Sequence, residues 1–510
     1  MSANNASGRS AIRGIARSGS VNLLAAGVGS VTNLVIVVII SRGWPPAVAG
    51  SFFAVTSVFL LTLSLVELGV DQGFVRFQAR NLALGRSQSN RRILQIGYLS
   101  VLSVSLVTAG LMVLVAESIG RLVGSAGTAQ DATRMMQVLV IALPVAAIYD
   151  LLLAQTRGHS HMRPTILVER IGRPSLQVVL LLLVALTQPS APAVIAAAWV
   201  APYLVGLVVM GFWVRRLGRG VVPPETAPSE NVGREFWRFT APRGVARFFQ
   251  VGLQRADIAI VAAIAGPAAS AVYTAATRFL VVGQVATQAL QQVSEPHLAR
   301  LIALEERKAV SSVYHQLTLW SVTLTWPVYL LVAIFSQPLL ALIFGASYEE
   351  GALTLTILAL TMLFATAMGP VDVLLLMAGR SGLSLINTGT ALVLDVVLCL
   401  ILIPWAGIEG AAIAWATAIV TRNLMGMTQV ARHLQITPFT RTSAAMGLTC
   451  VTLFGLVPAA VFLLSAGLTP ALMTAALGGL AYAGVIWRKS ESLALGDLVR
   501  RRSPSLKPIP

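Results

Sequence analysis

Fourteen apolar runs, each close to the length that crosses a bilayer, follow one another along this 510-residue chain. They fall at 20–41, 47–70, 93–116, 135–156, 165–187 and 192–214, then at 239–265, 268–291, 311–335, 352–378, 383–403, 408–431, 443–465 and 470–487. Hydrocarbon offers no water to satisfy a peptide group, so a spanning segment must be a helix or a strand of a closed barrel. Runs this long and continuously apolar exclude the barrel, whose strands are about ten residues of alternating polarity. The sequence therefore predicts an all-α polytopic membrane protein with about 14 transmembrane helices. Composition agrees: 11% of residues are charged, against about 25% in a soluble chain.

The net charge of +17 raises nucleic acid as a partner, and its distribution argues against one. With the N-terminus inside, 27 Arg and Lys residues fall in inside segments and three, Arg42, Arg121 and Arg134, fall outside. Basic residues retained on the cytoplasmic side produce this asymmetry. It predicts a multi-pass protein of the plasma (inner) membrane with both termini cytoplasmic. No cleavable signal precedes span 1, which is expected to stay as an anchor. Cys399 and Cys450 lie inside apolar runs and read as small buried hydrophobes. The five His residues show no metal-site spacing, and His159 and His161 share a basic loop with Arg157 and Arg163. No cofactor is expected.

The chain divides into a cytoplasmic segment 1–17, an N-lobe 18–214 (spans 1–6), a linker 215–235 and a C-lobe 236–433 (spans 7–12). Two extra helices at 442–487 and a basic cytoplasmic tail at 488–510 follow. The linker contains VVPPETAPSE and reads as flexible. A repeat supports the lobes: PAVAGSFFAVTSVFLL at 46–61 resembles PAASAVYTAATRFLVV at 267–282. Six crossings separate the copies, so the halves share one orientation and are related by an axis along the membrane normal. Two lobes around a central cavity suit alternating access. The outside loops are too short for an extracellular catalytic domain, which argues against a membrane glycan polymerase or ligase.

Charges inside the spans are the candidate functional residues. In span 7, Thr240, Arg243, Arg247, Gln250, Gln254 and Asp257 step by three and four residues and share one helical face. Arg255 lies about 100° off that face. An arginine at mid-bilayer costs at least about 2.5 kcal/mol, so this face is expected to meet a cavity or other helices. Gln284 and Gln288 continue the polar stripe in span 8, and span 5 carries Glu169, Arg170 and Arg173. The guanidiniums suit a phosphate or pyrophosphate through bidentate hydrogen bonds. The Gln side chains suit sugar hydroxyls. Arg243, Arg247, Arg255, Arg170, Arg173, Gln250, Gln254, Gln284 and Gln288 are accordingly the candidate substrate-binding set. Glu67, Asp71, Glu169, Asp257, Arg278, Asp372 and Asp395 are candidates for ion coupling or interhelix pairing, with Glu169–Arg173 and Asp257–Arg278 as the expected pairs.

The segments VELGVDQGFVRF at 66–77, RADIAIVAAIAGPAASAVYTAATRF at 255–279, FGASYEEGALTLTILAL at 344–360 and IPWAGIEGAAIAWATA at 403–418 carry a resemblance. Over most of 18–435 the chain resembles the Wzx-like polysaccharide flippases of the multidrug/oligosaccharidyl-lipid/polysaccharide (MOP) exporter superfamily. The resemblance implies a non-enzymatic transporter with two six-helix lobes and a cationic central cavity. Such a protein moves polyprenyl-pyrophosphate-linked oligosaccharide from the inner to the outer leaflet for surface polysaccharide assembly. Its implied partners are that glycolipid, membrane lipids and a polysaccharide polymerase or glycosyltransferases. Two related readings stay open. MurJ-like lipid II flippases carry arginines in span 1, where this chain has Asn22 and Asn33 as the larger polar groups. MATE-like drug antiporters often carry a carboxylate there, which is missing here.

Overall fold

The computed structural model describes residues 27–187, 191–217, 231–465 and 467–488. The segment 1–17, the start of span 1 with Asn22, most of the linker 215–235 and the tail beyond Arg488 lie outside the described residues. The rest is helical, with no strand among the described residues. In chain order the helices are α1 (Gly27–Gly43), α2 (Pro46–Val66), α3 (Val70–Ala83), α4 (Ser87–Val123), α5 (Ala129–Ile141) and α6 (Leu143–Gly158). A π-helical turn (Thr165–Gly172) leads into α7 (Arg173–Thr187), and α8 (Ala193–Leu217), α9 (Val232–Ala265), α10 (Pro267–Ala303) and α11 (Arg307–Ile334) follow. Next come α12 (Ser336–Phe344), a 3-10 turn (Ala346–Gly351), α13 (Ala352–Ala367), α14 (Val371–Met377) and α15 (Ser381–Leu434). The chain closes with α16 (Arg441–Cys450), a second π-helical turn, α17 (Val457–Ser465) and α18 (Leu468–Arg488).

Among the described residues ten helices are long and apolar enough to cross a membrane, or eleven if α5 and α6, bent by 43°, form one span. Three features separate eleven from the fourteen runs in the sequence, the first being that α10 is not among the helices that meet this criterion. α1 begins at the edge of the described residues. Runs 383–403 and 408–431 form the single 54-residue helix α15, broken at Gly407, whose φ of 56° and ψ of −133° suit glycine. Leu99, Leu106, Leu111 and Leu114 of α4 are exposed, as are Leu463, Leu464, Leu477 and Leu480 in the last two helices. In a polytopic protein such surfaces face lipid.

The residues form two compact units. The first comprises the described residues of Met1–Val281 with Gln337–Thr354 and Leu385–Arg422; the second comprises Val282–Ser336, Leu355–Ser384 and the described residues of Asn423–Pro510. In the first, α2 is apolar on all sides, and Phe52, Val55, Phe59 and Val66 are buried, as expected of a central helix. Glycine permits two close approaches here: Gly50 of α2 meets the start of α10, and Gly69, between α2 and α3, meets Gly244 of α9. A Cβ on Gly50 would lie 1.6 Å from the Pro267 carbonyl oxygen. A Cβ on Gly69 would lie 2.4 Å from the Gly244 nitrogen. Side chains are therefore excluded from both crossings.

In the second unit, Tyr314 donates to the Met368 carbonyl at 2.5 Å and anchors a core of Leu298, Leu317, Leu374 and Val430. Tyr482 of α18 donates to the Thr323 carbonyl of α11 at 2.9 Å. It packs with Leu319, Leu330, Met446 and Phe454, which ties the last helices to α11. Cys399 and Cys450 are free and buried.

Candidate functional site

The stretch VELGVD breaks the second span. Leu68 and Gly69 take φ of 52° and 71°, so α2 ends and α3 restarts within the long span Pro46–Ala83. A left-handed leucine costs about 1–2 kcal/mol. The break places Glu67 at the end of α2 and Asp71 in the first turn of α3, where the helix dipole favours a carboxylate. Both side chains are buried and face a cavity of about 380 Å³ within the first unit. This size lies in the range of small-ligand sites, about 300–1,000 Å³.

Five further elements and more of α2 complete the cavity wall. Asp150 and Arg157 come from α6, Thr165 and Glu169 from the π-helical turn, and Arg173 from α7. Tyr203 comes from α8, and Arg247, Gln254 and Arg255 from α9. α2 adds Leu60 and Leu63. The π-helical turn precedes Pro174, whose missing N–H disrupts the ordinary hydrogen-bond ladder. Thr165, Glu169 and Arg173, at steps of four residues, all reach the cavity from there.

The charges divide into satisfied and unsatisfied groups. Arg173 donates to both carboxylate oxygens of Glu169, at 2.9 Å from Nε and 2.6 Å from Nη2. Its guanidinium stacks on the Tyr203 ring at 4.8 Å, and Tyr149 donates to Glu169 at 2.8 Å. That pair is internally complete. Arg247 and Arg255 form no salt bridge among the described residues. Asp71 accepts from Gln72 at 2.9 Å through Oδ2, while its Oδ1 is buried without a partner. The Nε of Arg157 and the hydroxyl of Thr165 are likewise buried without partners. A buried polar atom in this state costs about 1–3 kcal/mol, and a ligand relieves it.

Of the sequence's substrate-binding candidates, Arg247, Arg255, Gln254 and Arg173 line this cavity. Arg170 and Gln250 are not among the described lining residues. Arg243 is also elsewhere, which corrects the expectation that it lines the cavity beside Arg247. It sits one turn back along α9, next to the Gly69–Gly244 crossing, with its guanidinium 5.4 Å from the Phe239 ring centre. Arg76 of α3 lies 4.2 Å from the same ring. Gln284 and Gln288 belong to the second unit.

The expected Asp257–Arg278 pair does not form. Asp257 accepts from the Tyr273 hydroxyl at 2.7 Å and from the Ile258 amide at 2.8 Å. Arg278 instead donates to the Thr274 carbonyl at 3.4 Å and the Thr277 hydroxyl at 3.2 Å. The tyrosine reaches the carboxylate first and leaves the guanidinium on its own helix. Arg278 and Arg255 both line a second cavity of about 50 Å³ with Phe52, Phe53 and Trp199. Asp395 is fully buried, with the Cys399 thiol 3.8 Å from Oδ1 and no partner for Oδ2. In the second unit, Asp372 accepts from Ser384 at 2.6 Å.

Sequence reasoning missed Asp150 and Tyr203 and placed Arg157 in a solvated loop. Asp150 carried a usable signal: it is the lone carboxylate of run 135–156, and an intramembrane acid is a candidate by default. Arg157 lies two turns beyond it on α6.

Residues 15–302 match the family described as polysaccharide biosynthesis protein. No curated protein sequence matches the chain. Among solved structures, the lipid II flippase MurJ in an inward closed conformation aligns at a TM-score of 0.72 and 13% identity, covering 94% of this chain and 99% of that one. An inward-facing multidrug resistance MATE transporter of the MOP superfamily aligns at 0.67 and 15% identity, covering 80% and 94%. A MOP superfamily transporter from Pyrococcus furiosus, described as having a binding pocket of reversed polarity, aligns at 0.59 and 17%, covering 82% and 95%. At these identities the likeness establishes the fold.

Proposed function

The chain belongs to the polysaccharide biosynthesis protein family, a multi-pass membrane protein with the MOP transporter fold, and from that premise we propose that it is a lipid-linked oligosaccharide flippase. It carries a polyprenyl-pyrophosphate glycolipid from the inner to the outer leaflet, by alternating access between lobes 18–214 and 236–433.

The observation that carries this reading is the state of Arg247 and Arg255. Two guanidiniums line a cavity inside a membrane-spanning fold without a salt bridge among the described residues. Intramembrane cations mark substrate pathways when no side chain neutralises them. A pyrophosphate accepts their planar forks in bidentate fashion. Gln254 beside them offers a donor and an acceptor to sugar hydroxyls. A cavity of about 380 Å³ takes a pyrophosphate with adjoining sugar, while the polyprenyl tail stays in the bilayer. With the interior negative, outward movement of each negative charge gains about 2.3 kcal/mol per 100 mV.

The MurJ-like match spans nearly the whole of both chains and favours lipid II as the second reading. One experiment separates the two: lipid mass spectrometry of cells depleted of the protein. Accumulated polyprenyl-pyrophosphate oligosaccharide supports the proposal, and its mass identifies the glycan. Accumulated lipid II with lysis supports the second reading. An unchanged pool of every lipid-linked sugar rejects both.

A further inference from the structure

Two walls of the cavity carry opposite charge. α9 contributes Arg247 and Arg255. Another stretch of wall, built from the end of α2, the start of α3 and α6, contributes Glu67, Asp71 and Asp150 against Arg157. Glu169 and Arg173 neutralise each other and leave this balance unchanged. No salt bridge joins the two walls among the described residues. A structural charge network closes on itself, as Glu169 and Arg173 do. Here no salt bridge among the described residues closes the network.

The acidic wall has an unmet requirement of its own. Asp71 is 8% exposed, and its Oδ1 has no hydrogen-bond partner. Thr165, 7% exposed and lining the same cavity, also has an unpartnered hydroxyl. Glu67 and Asp150 line the same cavity as Asp71. Carboxylates gathered at one site repel one another, and a proton or a cation beside them relieves that repulsion. A bare metal ion is a poor fit: among the described residues no three of Asp, Glu, His and Cys are grouped to hold one. An ammonium carries three N–H donors and satisfies carboxylates that are too dispersed to coordinate a metal.

Resting on the flippase reading, we propose that the cavity selects a zwitterionic headgroup, a glycolipid whose sugar next to the pyrophosphate bears a free amine. The pyrophosphate lies on Arg247 and Arg255, and the ammonium lies on Asp71, Glu67 and Asp150. An N-acetylated sugar loses the charge and leaves the Asp71 oxygen unsatisfied.

The test uses the full-length protein in lipid nanodiscs and two synthetic probes. Both are short-chain polyprenyl-pyrophosphate disaccharides, identical except for a free 2-amine on one and a 2-acetamide on the other. The amine probe is expected to bind at least tenfold more tightly. In Asp71→Asn and Asp150→Asn, each near in shape to the native residue, that preference should fall towards parity. Equal affinity of the two probes for the native protein overturns the inference and leaves the flippase reading standing. Equal affinity with proton release on binding overturns it in favour of an acidic wall that serves a proton. A preference that survives in both variants also overturns it, because the selectivity then arises elsewhere. If neither probe binds, the flippase reading itself fails and the inference falls with it.

Discussion

The two compact units treat buried polarity in opposite ways. In the second unit every buried polar side chain among the described residues is a hydroxyl: Ser294, Thr318, Ser321, Thr323, Thr325, Ser336, Thr361, Thr366, Ser384 and Ser443. Most donate to a carbonyl one turn back on their own helix, as Thr318 does to Tyr314 at 2.9 Å and Thr323 to Leu319 at 2.7 Å. The first unit buries Glu67, Asp71, Gln78, Asn81, Gln155, Gln177, Asp257, Asn387 and Asp395. Every buried polar atom found without a partner also belongs to it. A hydroxyl bonded within its own helix satisfies itself and asks nothing of its neighbours. An orphaned carboxylate or guanidinium is held at a cost that folding alone does not recover. The contrast separates a self-sufficient scaffold from the unit proposed to meet the ligand.

The largest effect tests the first unit. Arg247→Ala with Arg255→Ala should lower transport in proteoliposomes by about 100-fold or more, since each charge-assisted hydrogen bond is worth about 1.5–3 kcal/mol. The melting temperature in detergent should hold, because neither arginine forms a salt bridge among the described residues. A collapse in stability with transport per folded molecule retained would reverse the assignment of roles.

The next effect tests the second unit. Tyr482→Ala empties a core position between α11, α16 and α18 and should cost about 3–5 kcal/mol of stability, the usual range for a buried aromatic. Transport per folded molecule should stay within about twofold of native, since the surrounding hydroxyls satisfy their own helices. If transport falls much further than the folded fraction, the second unit does more than support.

The same contrast explains what the sequence disclosed. Helices were readable because hydrophobic length alone forces them in a bilayer. Arg247, Gln254 and Arg255 were readable because a charge in a span has few reasons to exist. Partners were not readable. Asp257 and Arg278 looked like a pair from their signs, and Tyr273, sixteen residues along from Asp257, took the carboxylate instead. The break at Leu68–Gly69 was hidden because VELGVD is apolar enough to continue a helix; its left-handed geometry appears only where Gly69 meets Gly244. Asp150 and Arg157 reach the cavity because α6 lies beside α3 and the π-helical turn, which no spacing within one segment specifies.

The smallest effect concerns Arg243, which shares a helical face with Arg247 in sequence and a different environment in the fold. Both arginines are exposed, but Arg243 stacks on Phe239 and is absent from the described cavity lining, whereas Arg247 lines the cavity. An exposed charge that makes no contact with substrate contributes up to about 1 kcal/mol. Arg243→Ala should therefore reduce transport by less than about fivefold, against tenfold or more for Arg247→Ala, which removes a cavity guanidinium. The two substitutions delete the same side chain four residues apart on α9, so surface charge and helix propensity cancel in the comparison. Raising ionic strength sharpens it further. A guanidinium outside the cavity acts on substrate only through a field that salt screens over about 8 Å at physiological strength, so the Arg243→Ala deficit should shrink in high salt. The Arg247→Ala deficit should persist, because its contact with substrate is made inside the cavity. Equal deficits that respond equally to salt would mean that both arginines meet substrate in one environment, and that the boundary drawn at the Gly69–Gly244 crossing does not separate cavity from surface.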